Sequence, residues 1–186
     1  MLSQHSRSIV FAVLREILHL VRHVPSTLLL RRQLSQAELY DTLMLRSDEA
    51  GFADERRRLV SGLLGNVLEL GCGTGLMFPH YTESVKLLAI DVDQEFLVRA
   101  RERAQRSVAR IEVRHARAEA IPAENHSQDA VVVSLLLCSV EHMDKVLSEV
   151  RRVLKPGGKL LLIEHVRSDG ALAGLLLDVA VDRRRA

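Results

Sequence analysis

Apolar residues recur along this chain with two different periods, and the change from one to the other divides it. Over residues 8–24 they fall at Ile9, Val10, Val13, Leu14, Ile17, Leu18 and Val21, with Arg15, Glu16, His19, Arg22 and His23 between them. That spacing predicts an amphipathic helix, and Pro25 ends it. Ser35, with Glu38 three residues on, has the form of a capping box and predicts a second helix through about Arg46. Residues 47–51 read as a break. A third helix is predicted over 53–63, closed by Gly65. Then the pattern changes to short apolar runs at 67–70, 87–90, 111–113, 130–136 and 160–164, separated by helical spacing over 75–82, 94–106 and 143–153. Such alternation predicts an α/β fold: a Rossmann-like, doubly wound sheet of about five mainly parallel strands with helices on both faces. The organisation expected is an N-terminal helical extension, residues 1–60, acting as a lid, followed by an α/β domain over 61–186.

Composition narrows the classes. A chain of 186 residues that is 47% hydrophobic suits one domain with a real core plus a short extension. A formal charge of +2 is too small to argue for nucleic acid, and aromatics at 3% with no Trp argue against an aromatic cage for a cation. Cys72 and Cys138 form neither a metal-ligand pattern nor a disulfide framework, so no metal is expected and a cytoplasmic setting is the simplest. The apolar run from Ile9 is broken at Arg15 and Glu16, so no signal peptide is expected. No stretch approaches the roughly 20 apolar residues of a membrane span. Arg7, Arg15, Arg22, Arg31 and Arg32 leave room for the helix in residues 1–24 to rest on a membrane surface, but an apolar helical face most often packs on its own domain.

The chemistry gathers where the first strand ends. Residues 67–75 read VLELGCGTG, so three glycines, Gly71, Gly73 and Gly75, follow the strand at once. Gly71 and Gly73 let a backbone turn tightly and approach a ligand, and a helix starting after Gly75 would aim its positive end at the same place. Ligands of such sheets sit at the carboxyl ends of the strands beside the first one. Asp91 ends the second strand, where an acid can accept hydrogen bonds from ribose hydroxyls. Asp93 is the better cap for the next helix. A dinucleotide-binding oxidoreductase wants G-x-G-x-x-G, but the spacing here is G-x-G-x-G with Leu at position 76. A cofactor without a pyrophosphate fits better than NAD.

These residues together resemble a class I S-adenosylmethionine-dependent methyltransferase, over about residues 60–167. Glu69, Leu70, Gly71, Cys72, Gly73, Thr74 and Gly75 resemble that family's first motif, and Asp91 matches its ribose-binding acid. Residues 118–122, AEAIP, resemble the segment bordering adenine. Residues 129–133, DAVVV, resemble the start of the fourth-strand motif, and 154–158, LKPGG, the turn before the fifth strand. LCSV at 137–140 and IEHV at 163–166 are similar to the branch containing membrane-associated thiol methyltransferases and bacterial relatives. Ubiquinone and menaquinone methyltransferases share the general scaffold. Three departures stand out. Arg117 occupies a position that is often acidic, Cys138 one that is often His, and the family's usual last two strands are expected to be missing. One helix, over 171–181, and then Arg183, Arg184 and Arg185 fill that place.

The resemblance implies S-adenosylmethionine as cofactor. Its expected contacts are Glu69, Gly71, Cys72, Gly73, Thr74, Gly75, Asp91, Val92, Ala118, Glu119, Ser134 and Leu135: Glu69 for the methionine ammonium, Asp91 for the ribose, Val92 for an adenine face, and Ser134 and Leu135 towards the sulfonium. Methyl transfer is an in-line displacement at an already activated carbon, so positioning and exclusion of water come first and a base is needed only for a neutral acceptor. His142, Glu141 and Tyr40 are the catalytic candidates. The expected partner is a small, fairly apolar acceptor: a thiol, phenol, quinone-like ring or lipid amine. An apolar edge at 160–163 also invites pairing in a homodimer. A catalytically weak cofactor-binding protein acting through protein contacts is the alternative.

Overall fold

A computed structural model of the chain describes residues 34–137 and 139–164. The helices expected over 8–24 and 171–181, the arginines at 183–185, Cys138, His165 and Val166 lie outside the described residues. The chain divides into two compact units, Met1–Leu43 and Met44–Ala186.

Ser35 opens α1, Gln36–Ser47, through the expected capping box: its N–H donates to Glu38 Oε2 at 2.9 Å, and Glu38 N–H donates to Ser35 Oγ at 3.2 Å. The expected break is a kink. One π-type turn, Asp48–Phe52, with Gly51 at φ 111°, leads straight into α2, Ala53–Val60. That helix stops short of residue 63. Gly65, expected to close it, instead begins a strand.

Five parallel strands follow: β1, Gly65–Leu70; β2, Val85–Asp91; β3, Arg110–His115; β4, Gln128–Ser134; and β5, Leu154–Ile163. They lie side by side in the order β3-β2-β1-β4-β5. Central β1 and β4 are buried along most of their length, which is why they read as nearly unbroken apolar runs, whereas edge strand β3 alternates as RIEVRH. Side chains alternate between two cores. Val67, Leu87, Ala89 and Val132 join Phe78 and, from α3, Gln94–Ala104, Leu97 and Ala100. Leu68, Leu70, Ile90, Val131 and Val133 join Val146, Val150 and Val153 of α4, Met143–Val153. Helices thus cover both faces, and the doubly wound expectation holds.

Three local expectations fail for identifiable reasons. Residues 75–82 form no α-helix but a run of turns and one 3-10 turn, Phe78–His80. Pro79 has no N–H to give the Gly75 carbonyl; Phe78 N–H closes on that carbonyl instead, at 3.1 Å. The helix dipole expected behind the glycines is therefore not there. β4 ends at Ser134 rather than residue 136, because Leu135 turns to φ 54°. Residues 154–158, expected as a turn, already belong to β5: Gln128 pairs with Leu154 and Ala130 with Lys159, so Asp129 alone faces residues 155–158. That bulge contains Gly157 at φ 78°.

Candidate functional site

The sheet order sets the carboxyl ends of β2, β1 and β4 next to one another, with Leu70 between Ile90 and Val133. β1 carries Glu69 into the interior, where it is 1% exposed and accepts a 3.0 Å hydrogen bond from the Tyr81 hydroxyl. Burial pushes its carboxyl up to about 8; the Tyr81 bond and the Arg56 charge pull the other way, and Asp91 adds to the rise. Tyr81 is itself raised well above an ordinary phenol by burial and by Glu69. A protonated acid sunk beside the first strand's tip is a reservoir of negative charge that an incoming cation can draw out.

The glycine loop is pinned from several sides. Asp91 Oδ2 accepts Gly73 N–H at 2.8 Å and Oδ1 accepts Asp93 N–H at 2.9 Å, while Cys72 N–H reaches the Ile90 carbonyl at 3.0 Å. Asp93 caps α3, accepting from Glu95 and Phe96 N–H. Asp91, expected to be left free for the ribose by Asp93 as the cap, is instead engaged through both oxygens, but each oxygen keeps a lone pair beyond its backbone bond. Gly71 and Gly75 adopt φ 67° and 83°. A Cβ at Gly71 would stand 2.7 Å from Leu136 Cδ1, and one at Gly75 2.7 Å from the Phe78 ring. The glycines therefore answer both a left-handed backbone and close packing. From α3, Arg103 Nη1 donates to the Thr74 carbonyl at 2.5 Å. Cys72 and Thr74 are buried. Burial also pushes the Cys72 thiol well up, which argues against a nucleophile.

Beside the loop, Val92 is 57% exposed, an uncovered apolar side chain at the tip of β2. Ala116 N–H donates to the Asp91 carbonyl at 3.0 Å and brings the 116–119 segment alongside. Ala118 is buried there; Glu119 is half-buried and paired with Arg117 at 3.4 Å. Farther along, α4 holds the 121–125 loop: Glu149 Oε2 accepts Ile121 N–H at 2.8 Å, and Arg152 donates to the carbonyls of Ile121 and Ala123.

At the end of β4, Ser134 and Leu135 are half-buried, and Leu135 N–H donates to the Ile163 carbonyl at 2.8 Å. Glu164 Oε1 accepts both Leu136 and Leu137 N–H at 2.9 Å, tying the loop after β4 to the end of β5. The catalytic candidates are placed more loosely. His142 Nε2 and Glu141 Oε1 stand 4.0 Å apart with side chains 46% and 77% exposed. Tyr40 is half-buried on α1, in the other compact unit.

Tyr81, Arg103 and Glu164 were not singled out by sequence reasoning as site residues. Tyr81 carried a faint signal, being one of only two tyrosines in the chain. A groove of about 830 Å³ opens at the amino ends of the strands, against Asn66, Lys86, Arg110 and Gln128. It lies away from the glycine loop, at the end where parallel sheets do not place ligands, and we assign it no role. Among the described residues no group of His, Cys, Asp and Glu is arranged to hold a metal, and no helix is long and apolar enough to cross a membrane.

A glycine loop clamped by an acid at the tip of the neighbouring strand, in a 3-2-1-4-5 parallel sheet, defines a nucleoside-binding α/β domain. The chain belongs to the methyltransferase-domain family, whose profile matches residues 68–162, and has the class I, S-adenosylmethionine-dependent architecture of that family. It is 41% identical over 113 residues to the thiol S-methyltransferase TMT1B of Mus musculus, covering 58% of this chain and 46% of that one. It is 35% identical over 114 residues to the phosphatidylethanolamine N-methyltransferase of Cereibacter sphaeroides, covering 60% and 56%. Among solved structures, a SAM-dependent methyltransferase from Aquifex aeolicus superposes with a TM-score of 0.53 at 25% identity, over 64% of this chain and 73% of that one. The chain spans about half the length of the curated relatives it matches.

Proposed function

We propose that this chain binds S-adenosylmethionine at the carboxyl ends of β1, β2 and β4 and transfers its methyl group to a small, fairly apolar acceptor. One observation carries the reading: Asp91 holds the glycine loop through one carboxylate oxygen and the turn into α3 through the other while retaining acceptor capacity, directly beside the exposed Val92. That is a ribose acceptor next to an apolar platform for a base. Glu69 is the acceptor for the ammonium, Ala118 and Glu119 border the adenine, and Ser134 and Leu135 face the sulfonium end. The cofactor supplies an activated methyl: the acceptor's lone pair forms the new bond as the carbon–sulfur bond breaks and its electron pair returns to sulfur. The protein's part is to hold these atoms in line and keep water out. The two curated relatives, one named for a thiol and one for a lipid amine, favour a greasy acceptor.

A second reading, a cofactor-binding protein that acts through contacts, is favoured by the exposure of His142 and Glu141. Titration calorimetry with S-adenosylmethionine, its demethylated product and NAD comes first; binding of NAD alone overturns the assignment. A radiolabelled-methyl screen over thiols, phenols, quinones, amines and lipids, with RNA and protein as controls, then names the acceptor. Labelling of RNA or protein instead contradicts the substrate class. Cofactor binding with no labelled acceptor supports the second reading.

A further inference from the structure

The described sheet has two outer strands, β3 and β5. β3 reads RIEVRH, with Arg110, Glu112, Arg114 and His115 exposed. Charges of that kind keep an edge from pairing with another chain. β5 is guarded over only half its length. Its first half holds Pro156, which has no N–H for a ladder, and the bulge with Gly157 at φ 78°. Residues 159–163 read KLLLI and carry no charge after Lys159.

The geometry of this bare stretch follows from β4. The Ile163 carbonyl accepts Leu135 N–H at 2.8 Å, so the polar groups of Ile163, and by alternation those of Leu161, turn towards β4. Leu160 and Leu162 therefore aim N–H and C=O outward. Their side chains are in register with Val131 and Val133, on the face that α4 covers, yet they stay 37% and 45% exposed. Leu147 of α4, also exposed, lines a shallow groove with Leu160. A two-fold axis at Leu161 makes this edge its own complement. Antiparallel pairing about that axis sets Leu160 opposite the partner's Leu162, and Leu162 opposite the partner's Leu160. Both pairs are of the hydrogen-bonded kind and exchange two N–H···O=C bonds each, while Leu161 meets the partner's Leu161 at the non-bonded position between them. On the α4 face the exposed leucines then close on one another. Charge agrees with this direction. Lys159 comes to the same end of the ladder as the partner's Glu164, whereas parallel pairing sets it beside the partner's Lys159.

We propose that residues 159–163 are a self-pairing surface, through which two copies of this chain join antiparallel with Leu161 on the two-fold and continue one sheet through both. A second copy is the occupant because outward donors, acceptors and apolar side chains recur in an order that reads alike from both sides of the axis. So short a ladder is far smaller than a standard interface, so the dissociation constant should be on the order of 10 μM. The pairing does not depend on which cofactor the domain binds.

Sedimentation velocity of the full chain from about 1 to 300 μM should show a monomer–dimer equilibrium in that range. Leu160→Glu and Leu162→Lys should each weaken it by about tenfold or more, because symmetry sets each substitution in the interface twice. A chain carrying both places opposite charges across the axis at two points and should dimerise more tightly than either single variant. In the wild type, amide exchange over residues 159–163 should slow as concentration rises through the transition. A monomer throughout overturns the proposal, as does a dimer indifferent to both single substitutions. Loss in both without recovery in the double variant overturns the antiparallel register. Should the variants not fold, the exchange decides: edge amides already protected at 1 μM mean that the chain covers its own edge, and the proposal fails.

Discussion

The carboxyl ends of β1 and β2 share one edge of the sheet with the loop after β4, but the two regions are built differently. In the first, three polar side chains are committed to buried or backbone partners: Asp91 to two backbone N–H groups, Glu69 to Tyr81, Arg103 to the glycine loop. In the second, Glu164 holds two backbone N–H groups, but His142 and Glu141 stand in solvent 4.0 Å apart. Burial with satisfied hydrogen bonds fixes geometry, whereas exposed pairs contribute little order. The difference says where the protein specifies its ligand closely, at the cofactor, and where it tolerates variety, at the acceptor.

The largest effect should come from the clamp. Asp91→Ala removes an acceptor for the ribose, the Gly73 anchor of the loop and the bond to Asp93 N–H. Each such charge-assisted bond contributes about 1.5–3 kcal/mol, so S-adenosylmethionine affinity should fall by about a hundredfold or more by titration calorimetry. Asp91→Asn, which keeps one good acceptor, should fall between. An affinity left intact by Asp91→Ala would remove the ribose role and dissolve the comparison.

The buried acid gives a pH signature. Burial raises the Glu69 carboxyl to about 8 in the folded state, from an ordinary 4.5. Between those values the native state binds a proton that the unfolded chain has lost, so Glu69 makes ligand-free stability fall as pH rises, by up to about 1.4 kcal/mol per pH unit. Glu69→Gln should flatten that slope in denaturant titrations at pH 5, 6.5 and 8. Binding of the cofactor's ammonium should expel the proton, so affinity should rise with pH through the same window, with proton release visible as buffer-dependent binding heats. A wild-type slope no steeper than that of Glu69→Gln would mean the carboxyl is already ionised.

Which parts of this were legible in the sequence follows from how local their causes are. The strands showed as apolar runs because a covered parallel sheet buries both faces, and α4 was read at its true bounds because its apolar stripe is regular. Glu69 and Asp91 stood out because acids are rare inside and at the tips of apolar strands. The misread elements each turn on one backbone detail: Pro79 behind the glycines, Leu135 at φ 54°, and the bulge at Gly157. The supporting residues were hidden because their partners are distant in sequence. Tyr81 lies 12 residues from Glu69, Arg103 29 from Thr74, and Glu164 28 from Leu136. No local pattern marks an arginine or glutamate for such a bond.

An intermediate effect should separate the two regions. Glu164→Ala removes the shared acceptor of Leu136 and Leu137 N–H without touching the glycine loop. Turnover should drop by about tenfold, the scale of one or two lost charge-assisted bonds, while S-adenosylmethionine affinity stays within about twofold. A matching loss of cofactor affinity would show that the loop after β4 and the glycine loop act as one unit, through the close approach of Gly71 to Leu136.

The smallest effect is expected at His142, and it is the sharpest question put to the acceptor side. A working general base contributes roughly 10²–10⁴ in rate and must be held within hydrogen-bond reach of the proton it removes. His142 is about half exposed, precedes α4 without capping it, and stands 4.0 Å from the still more exposed Glu141. Nothing in that arrangement holds the ring at a fixed angle. A thiol acceptor reacts as its thiolate and needs little help from a base. His142→Ala should therefore change turnover of a thiol by less than about threefold, with the alkaline rise of the rate following the acceptor's own pKa rather than that of a histidine. A loss near a hundredfold would place an ordered base on this side. It would mean that the cofactor closes the loop after β4 around His142 and that the contrast between the two regions belongs to the ligand-free state alone.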